Sequence, residues 1–157
     1  MNSLYQTTSE ADTLAFASAL AKQLKRGDCV LLQGDLGVGK SVMARGIARH
    51  FGVKGPMPSP SFTMLIPYQD GTLPIYHYDL YRLRSVDEFY DAGLDEYIGG
   101  NGICLIEWPQ TIDLNVSPAL LVEIAKGGEE TIRSFRLKGI DLSIDESLLQ
   151  RWKASLT

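Results

Sequence analysis

The chain has 157 residues, a length for about one domain, and its 15 Lys and Arg against 19 Asp and Glu give a net charge of −4. With 45% hydrophobic and 22% charged residues it has the balance of a folded globular protein rather than a disordered one. The acidic excess argues against a protein that grips nucleic acid by itself, because that affinity comes largely from Lys and Arg neutralising phosphates. No basic start leads into an apolar stretch, and no run of about eighteen apolar residues occurs, so neither a secretory leader nor a membrane span is predicted and a cytoplasmic location is expected. A chain of this size buries about 70% of its extended surface and needs no disulfide. Cys29 and Cys104, each inside an apolar run, are expected to be buried, reduced thiols.

Thr7 and Glu10 have capping-box spacing, and Leu14, Ala17, Ala21 and Leu24 follow at helical intervals until Lys25-Arg26-Gly27 supplies a stop. Residues 28–33 are short, apolar and bounded by glycines, as suits a buried strand. A glycine-rich turn leads into a helix over about 40–51, closed by Gly52. Three prolines within residues 55–61 predict an irregular loop. Residues 62–68 and 73–78 are β-rich and flank Asp70-Gly71, a hairpin signal. Ser85 and Glu88 open a short helix that ends near Gly93, and residues 103–106 form a second buried strand after a Gly-rich break. A further hairpin is predicted over 120–126 and 131–138, with Arg133, Phe135 and Leu137 on one face; Ser143 and Glu146 cap a last helix through Leu148, Leu149 and Trp152. The sum is one α/β domain over 1–157, three-layered, whose mixed central sheet contains antiparallel hairpins.

Gly34-Asp35-Leu36-Gly37-Val38-Gly39-Lys40-Ser41 matches the phosphate-binding pattern G-x-x-x-x-G-K-[ST] between an apolar strand and an amphipathic helix. Glycines let successive N–H groups curl round an anion, and the helix turns its positive end toward it. In such a loop Lys40 reaches the β- and γ-phosphates and the Ser41 hydroxyl ligates Mg²⁺, with Val42 a further residue on the nucleotide side. A phosphate-loop protein also needs a carboxylate at the end of a second buried strand; Glu107, directly after residues 103–106, fits, although Asp is commoner there and a solvent-facing acid is the competing reading. Trp108 beside it reads either as core or as a nucleotide or partner contact. Neither Asn-Lys-x-Asp nor Asp-x-x-Gly occurs, so the guanine-reading and GTPase switch elements are missing and ATP is favoured by elimination. His77-Tyr78-Asp79-Leu80-Tyr81-Arg82 packs a His, an acid and a cation together: they can position water and offset phosphoryl charge, or Asp79 and Arg82 can simply pair on the surface.

The glycine-rich loop, the Ser-Pro-Ser-Phe-Thr stretch from Ser59 to Thr63, the segment from His77 to Arg82 and Ile106-Glu107-Trp108, in that order, resemble the TsaE family, the small ATPases of bacterial tRNA threonylcarbamoyladenosine synthesis. The resemblance implies that Lys40 and Ser41 serve phosphate and Mg²⁺, that Glu107 is a Walker-B-like Mg²⁺ carboxylate, and that Asp79 is an acid required for turnover. It also implies that 59–63 is a switch-like loop near the γ-phosphate. The implied partners are a TsaD-like and a TsaB-like protein, with tRNA engaged only through them, and the implied cofactors are ATP and Mg²⁺. Ser41 and Ser61 stand where the family usually has Thr, and Gln110 replaces an acid. A small-molecule kinase and a non-catalytic nucleotide-dependent scaffold are the rival readings; the sequence offers the kinase no arginine-rich lid.

Overall fold

The computed structural model describes residues 3–154, so the first two residues of the stretch read for a leader lie outside it. In chain order the elements are β1 (Leu4–Thr7), α1 (Glu10–Ala21), β2 (Cys29–Gln33), α2 (Lys40–His50), β3 (Leu65–Tyr68), β4 (Ile75–Asp79), α3 (Val86–Asp91), β5 (Ile103–Glu107), β6 (Ala119–Lys126), β7 (Arg133–Ile140) and β8 (Lys153–Ala154). Short 3₁₀ turns occupy Leu94–Tyr97, Pro109–Ile112 and Glu146–Trp152. The strands form one sheet in the order β3-β4-β5-β2-β6-β7-β1-β8. β4, β5, β2 and β6 are parallel, while β3, β7, β1 and β8 add antiparallel neighbours. The mixed sheet with its two hairpins is the expected architecture.

The apolar runs of β2 and β5 follow from their position: strands covered on both faces do not show a polar and an apolar side. On one face α1 and α2 pack over Val30, Leu32, Leu105, Leu120 and Val122. On the other, α3, the 3₁₀ turns Leu94–Tyr97 and Pro109–Ile112 and the segment around Leu80 cover Leu31, Tyr76, Tyr78, Cys104 and Ile106 through Leu80, Phe89, Leu94 and Ile112. Cys29 and Cys104 are buried, free and opposite each other on adjacent strands.

Several local expectations shift. The first helix is capped by Ser9, whose Oγ accepts from the Asp12 N–H at 3.0 Å, while Asp12 Oδ2 accepts from the Thr8 N–H at 3.0 Å. Thr7 instead ends β1, a strand not predicted because four residues are too few to display a period, and its hydroxyl bonds to Thr13 at 2.6 Å. The helix buries Thr13, Phe16, Ala17, Leu20 and Ala21, so Leu14 lies off the core-facing stripe and Leu24 is buried beyond the helix end. The last helix is a 3₁₀ turn capped by Asp145 rather than Ser143, followed by β8, which pairs with β1. β3 starts at Leu65, three residues later than predicted, because residues 61–63 form a turn. It is an edge strand, the position in a sheet that tolerates Pro67. Ser85 caps α3 as expected, accepting from the Glu88 N–H at 3.2 Å.

Among the described residues no helix is long and apolar enough to cross a membrane. Phe16 joins the helical layer to the far half of the sheet: fully buried, its ring lies 5.6 Å from Tyr5, 4.8 Å from Phe135 and 5.4 Å from Trp152. Phe16→Ala is therefore expected to lower unfolding free energy by about 3–5 kcal/mol, read as a lower urea midpoint at unchanged slope.

Candidate functional site

β2 hands the chain to the loop 34–41, which leads into α2. A Cβ on Gly34 would lie 2.6 Å from the Ile124 carbonyl oxygen and 2.7 Å from the Val38 side chain, so the loop leaves the sheet this close to β6 only with glycine there. Gly39, at φ 112°, adopts a left-handed conformation that glycine takes without strain, and it turns the loop into the first turn of α2. The leading N–H groups of that turn have no partners inside the helix, which suits them to an anion.

Parallel pairing brings the acids to the same edge. The registers Leu32–Glu107 and Asp79–Glu107 set the ends of β2, β5 and β4 side by side, so both carboxylates stand at the carboxyl edge of the sheet beside the loop, where open α/β sheets bind ligands. Glu107 is the last residue of β5 and is 4% exposed, which removes the reading of it as a solvent-facing acid. Ser41 Oγ donates to its Oε2 at 3.1 Å and approaches Oε1 at 3.4 Å, and His77 Nε2 lies 2.6 Å from Oε2. Asp79, 5% exposed, accepts from the Tyr81 N–H at 2.9 Å and from Ser61 Oγ at 3.2 Å. The proline-rich loop is thereby tied to the second carboxylate.

Lys40 Nζ donates to the carbonyls of Gly34 and Asp35, at 2.7 Å each, and lies 4.0 Å from the centre of the Trp108 ring. Burial pushes the Lys40 ammonium below the usual lysine range, against the opposing pull of Glu107, Asp79 and Asp35. Trp108 reaches this position through a left-handed backbone, φ 61°, uncommon for a bulky residue; its N–H donates to the Leu32 carbonyl at 3.3 Å, and its ring stands 4.8 Å from Tyr81. Its side chain both lines the cleft and packs against the core layer beneath α3.

Leu36, Gly37, Gly39, Lys40, Ser41, Val42, Asp79, Glu107 and Trp108 line one cleft together with Ser59 and Ser61. Of the other sequence-predicted residues, Gly34 and Asp35 contribute carbonyls to Lys40, and the Val38 side chain packs into the core. A second groove, sharing Gly37, Gly39 and Val42 with the first, continues past Thr13, Val38, Arg133 and Phe135. The sequence pattern places Arg133 only on one face of a strand; its Nε donates to the Val38 carbonyl at 2.8 Å, a contact across 95 residues of sequence that no local pattern signals. The paired reading of Asp79 and Arg82 is not realised, since the Arg82 guanidinium lies over the Phe62 ring at 4.4 Å. Arg45 pairs with Glu10 at 2.6 Å, and Arg49 donates to the carbonyls of Val53 and Gly55. No arginine lines the cleft among the described residues.

The cleft can take a multiply charged anion on the loop and a hard cation on the Ser41 hydroxyl and Glu107 carboxylate. Fold and loop together define a phosphate-loop protein of the α/β class. The crystal structure of Bacillus subtilis YdiB is similar to it, with a TM-score of 0.75 and 33% identity over 89% of this chain and 86% of that one. The family model described as "Threonylcarbamoyl adenosine biosynthesis protein TsaE" matches residues 7–135, and the chain belongs to the TsaE family. The B. subtilis (strain 168) protein named tRNA threonylcarbamoyladenosine biosynthesis protein TsaE is 39% identical over 127 residues, 80% of this chain and 79% of its own. Its Rickettsia bellii namesake is 43% identical over 125 residues, 79% of this chain and 85% of its own. The family's process is thus tRNA modification.

Because its charge is disfavoured by burial, Lys40 is held at a cost to the fold. Lys40→Met is expected to unfold at the same or a higher urea concentration than the parent in the absence of nucleotide; a clear drop in the midpoint would reverse this assignment of cost.

Proposed function

We infer that this chain is a single-domain, Mg²⁺-dependent ATPase that works in the cytoplasm with TsaD- and TsaB-like proteins in tRNA threonylcarbamoyladenosine synthesis. The observation that carries the reading is the convergence of the loop, Ser41, Glu107 and Asp79 along one sheet edge. Phosphates would take the N–H groups of the loop, and Lys40 would exchange the carbonyls of Gly34 and Asp35 for the β- and γ-phosphate oxygens in charge-assisted contacts. The nucleoside would lie along the groove by Val38, Val42 and Arg133.

The donor set fits Mg²⁺. One hydroxyl and one carboxylate stand within 3.1 Å of each other, and no group of three or more His, Cys, Asp or Glu suited to a metal occurs among the described residues. That matches a cation that takes one or two protein oxygens and completes its shell with phosphate and water. Held by the Ser41 hydroxyl and the Glu107 carboxylate, such a cation would supply positive charge against that building on the phosphate oxygens. Asp79, held by the Tyr81 N–H and touched by Ser61, is the group that orients water for attack.

An arginine against the transferred phosphoryl group can be worth about 10³–10⁵ in rate. Arg45 pairs with Glu10, Arg49 with the carbonyls of Val53 and Gly55, and Arg82 with the Phe62 ring, while Arg133 holds the Val38 carbonyl of the loop and lines the adjoining groove rather than the cleft, which supports slow hydrolysis by the isolated chain and acceleration by its partners. The net charge of −4 fits a subunit that leaves tRNA to those partners.

Single-turnover release of γ-phosphate, with and without the partner proteins, tests the reading. Slow release alone and faster release with partners, with no small-molecule acceptor, is the expected result; binding without release under both conditions would leave only a nucleotide-dependent scaffold. Lys40→Met should lose ATP binding, whereas Asp79→Ala should retain it and lose about 10²-fold or more of the stimulated rate. Amide exchange over residues 55–63 should slow in the ATP form relative to the ADP form, because this loop reaches the γ-phosphate side through Ser61. Equal protection in both forms would remove the switch role.

A further inference from the structure

The Walker-B-like position holds Glu rather than the commoner Asp, and the extra methylene has a physical consequence. It adds one rotatable bond ahead of a carboxylate whose own terminal torsion is already broad and roughly two-fold, so the longer acid presents no fixed oxygen to a cation unless something else holds it. His77 supplies the hold. It lies on β4 two residues before Asp79, its ring is 2% exposed, and its Nε2 stands 2.6 Å from Glu107 Oε2.

A carboxylate oxygen without a proton only accepts, so Nε2 is the donor in this contact. Nδ1 is buried with no hydrogen-bond partner among the described residues. Burying an unsatisfied polar nitrogen costs stability, a cost that an apolar side chain on this strand would avoid. The imidazole therefore serves the Nε2 contact and not the fold. Ser41 Oγ also converges on Oε2, leaving Oε1 the less engaged oxygen, at 3.4 Å from the same hydroxyl.

We propose that His77 is a positioning residue: it clamps Oε2 of Glu107 so that the carboxylate meets the cation in one orientation, and it thereby sets the Mg²⁺ affinity of the nucleotide site. This rests on the reading of Ser41 and Glu107 as the holders of Mg²⁺. Partners that orient metal ligands from behind typically change metal affinity 10- to 100-fold when removed.

Three variants of the full chain separate the outcomes. His77→Leu removes the donor; His77→Asn keeps an amide too short to reach Glu107; His77→Gln carries its amide nitrogen to about the reach of Nε2. ATP affinity is measured by titration calorimetry at increasing Mg²⁺, beginning with none, and the Mg²⁺ concentration for half-maximal hydrolysis is read separately from the rate at saturating Mg²⁺. His77→Leu and His77→Asn should need tenfold or more Mg²⁺ in both measurements while binding ATP normally in its absence, and His77→Gln should recover most of the loss. The urea midpoint of His77→Leu should equal or exceed that of the parent; if that variant does not fold, His77→Asn against His77→Gln decides. Unchanged Mg²⁺ dependence in the variants overturns the proposal, and so does an equal loss in Gln, Asn and Leu, which would make the ring a packing element. Absence of any Mg²⁺ dependence in the parent protein would overturn the cation reading of Ser41 and Glu107 itself, a result distinct from a parent that responds and variants that do not differ from it.

Discussion

The parallel register of β4, β5 and β2 is the constraint on which the rest depends. Each of the three strands ends at the same edge, and pairing Leu32 with Glu107 and Glu107 with Asp79 sets loop, first acid and second acid in a row. A slip of one residue in β5 would turn Glu107 to the opposite face and carry its apolar neighbours with it. Burial of Leu105 against one layer and Ile106 against the other makes such a slip costly, so the two hydrophobic layers that hold the sheet also fix the chemistry at its edge.

What could be read from sequence was what is written locally. The loop 34–41 and the buried runs of β2 and β5 carry their own patterns, and so does the Ser85 cap. The first helix carried a weaker one: Ser9 and Thr7 both precede a plausible acid at three residues, and only the pairing of Thr7 into β1 decides between them. β8 gains its existence from β1, across the whole chain. The site divides along the same line. Lys40, Ser41 and Glu107 were visible through spacing, but the partners of His77 and Arg133 are fixed by tertiary packing over 30 and 95 residues of sequence.

The site also concentrates features that oppose stability. Lys40 is buried with its charge disfavoured, Trp108 holds a left-handed backbone, and His77 carries an unpaired buried nitrogen, all within the residues around Glu107. Local strain and unmet polar groups persist only where surrounding structure over-determines them. Here the surroundings are the fully buried strands β4 and β5 and the layers that cover them. A sheet that tolerates these costs holds the strand-end wall of the cleft, with Asp79 and Glu107, in place before any ligand arrives, so that the adjustment binding requires falls on Lys40 and the loop 55–63.

An open sheet of eight strands leaves two borders with backbone groups free to pair with another chain. On one border β3 is four residues long and carries Pro67, which has no N–H to offer a neighbouring strand. On the other, β8 extends over two residues among those described. Among the described residues neither offers the long, regular ladder that templates edge-to-edge association. At the β3 border, crowded or partly unfolded chains therefore find little regular ladder on which to add a strand.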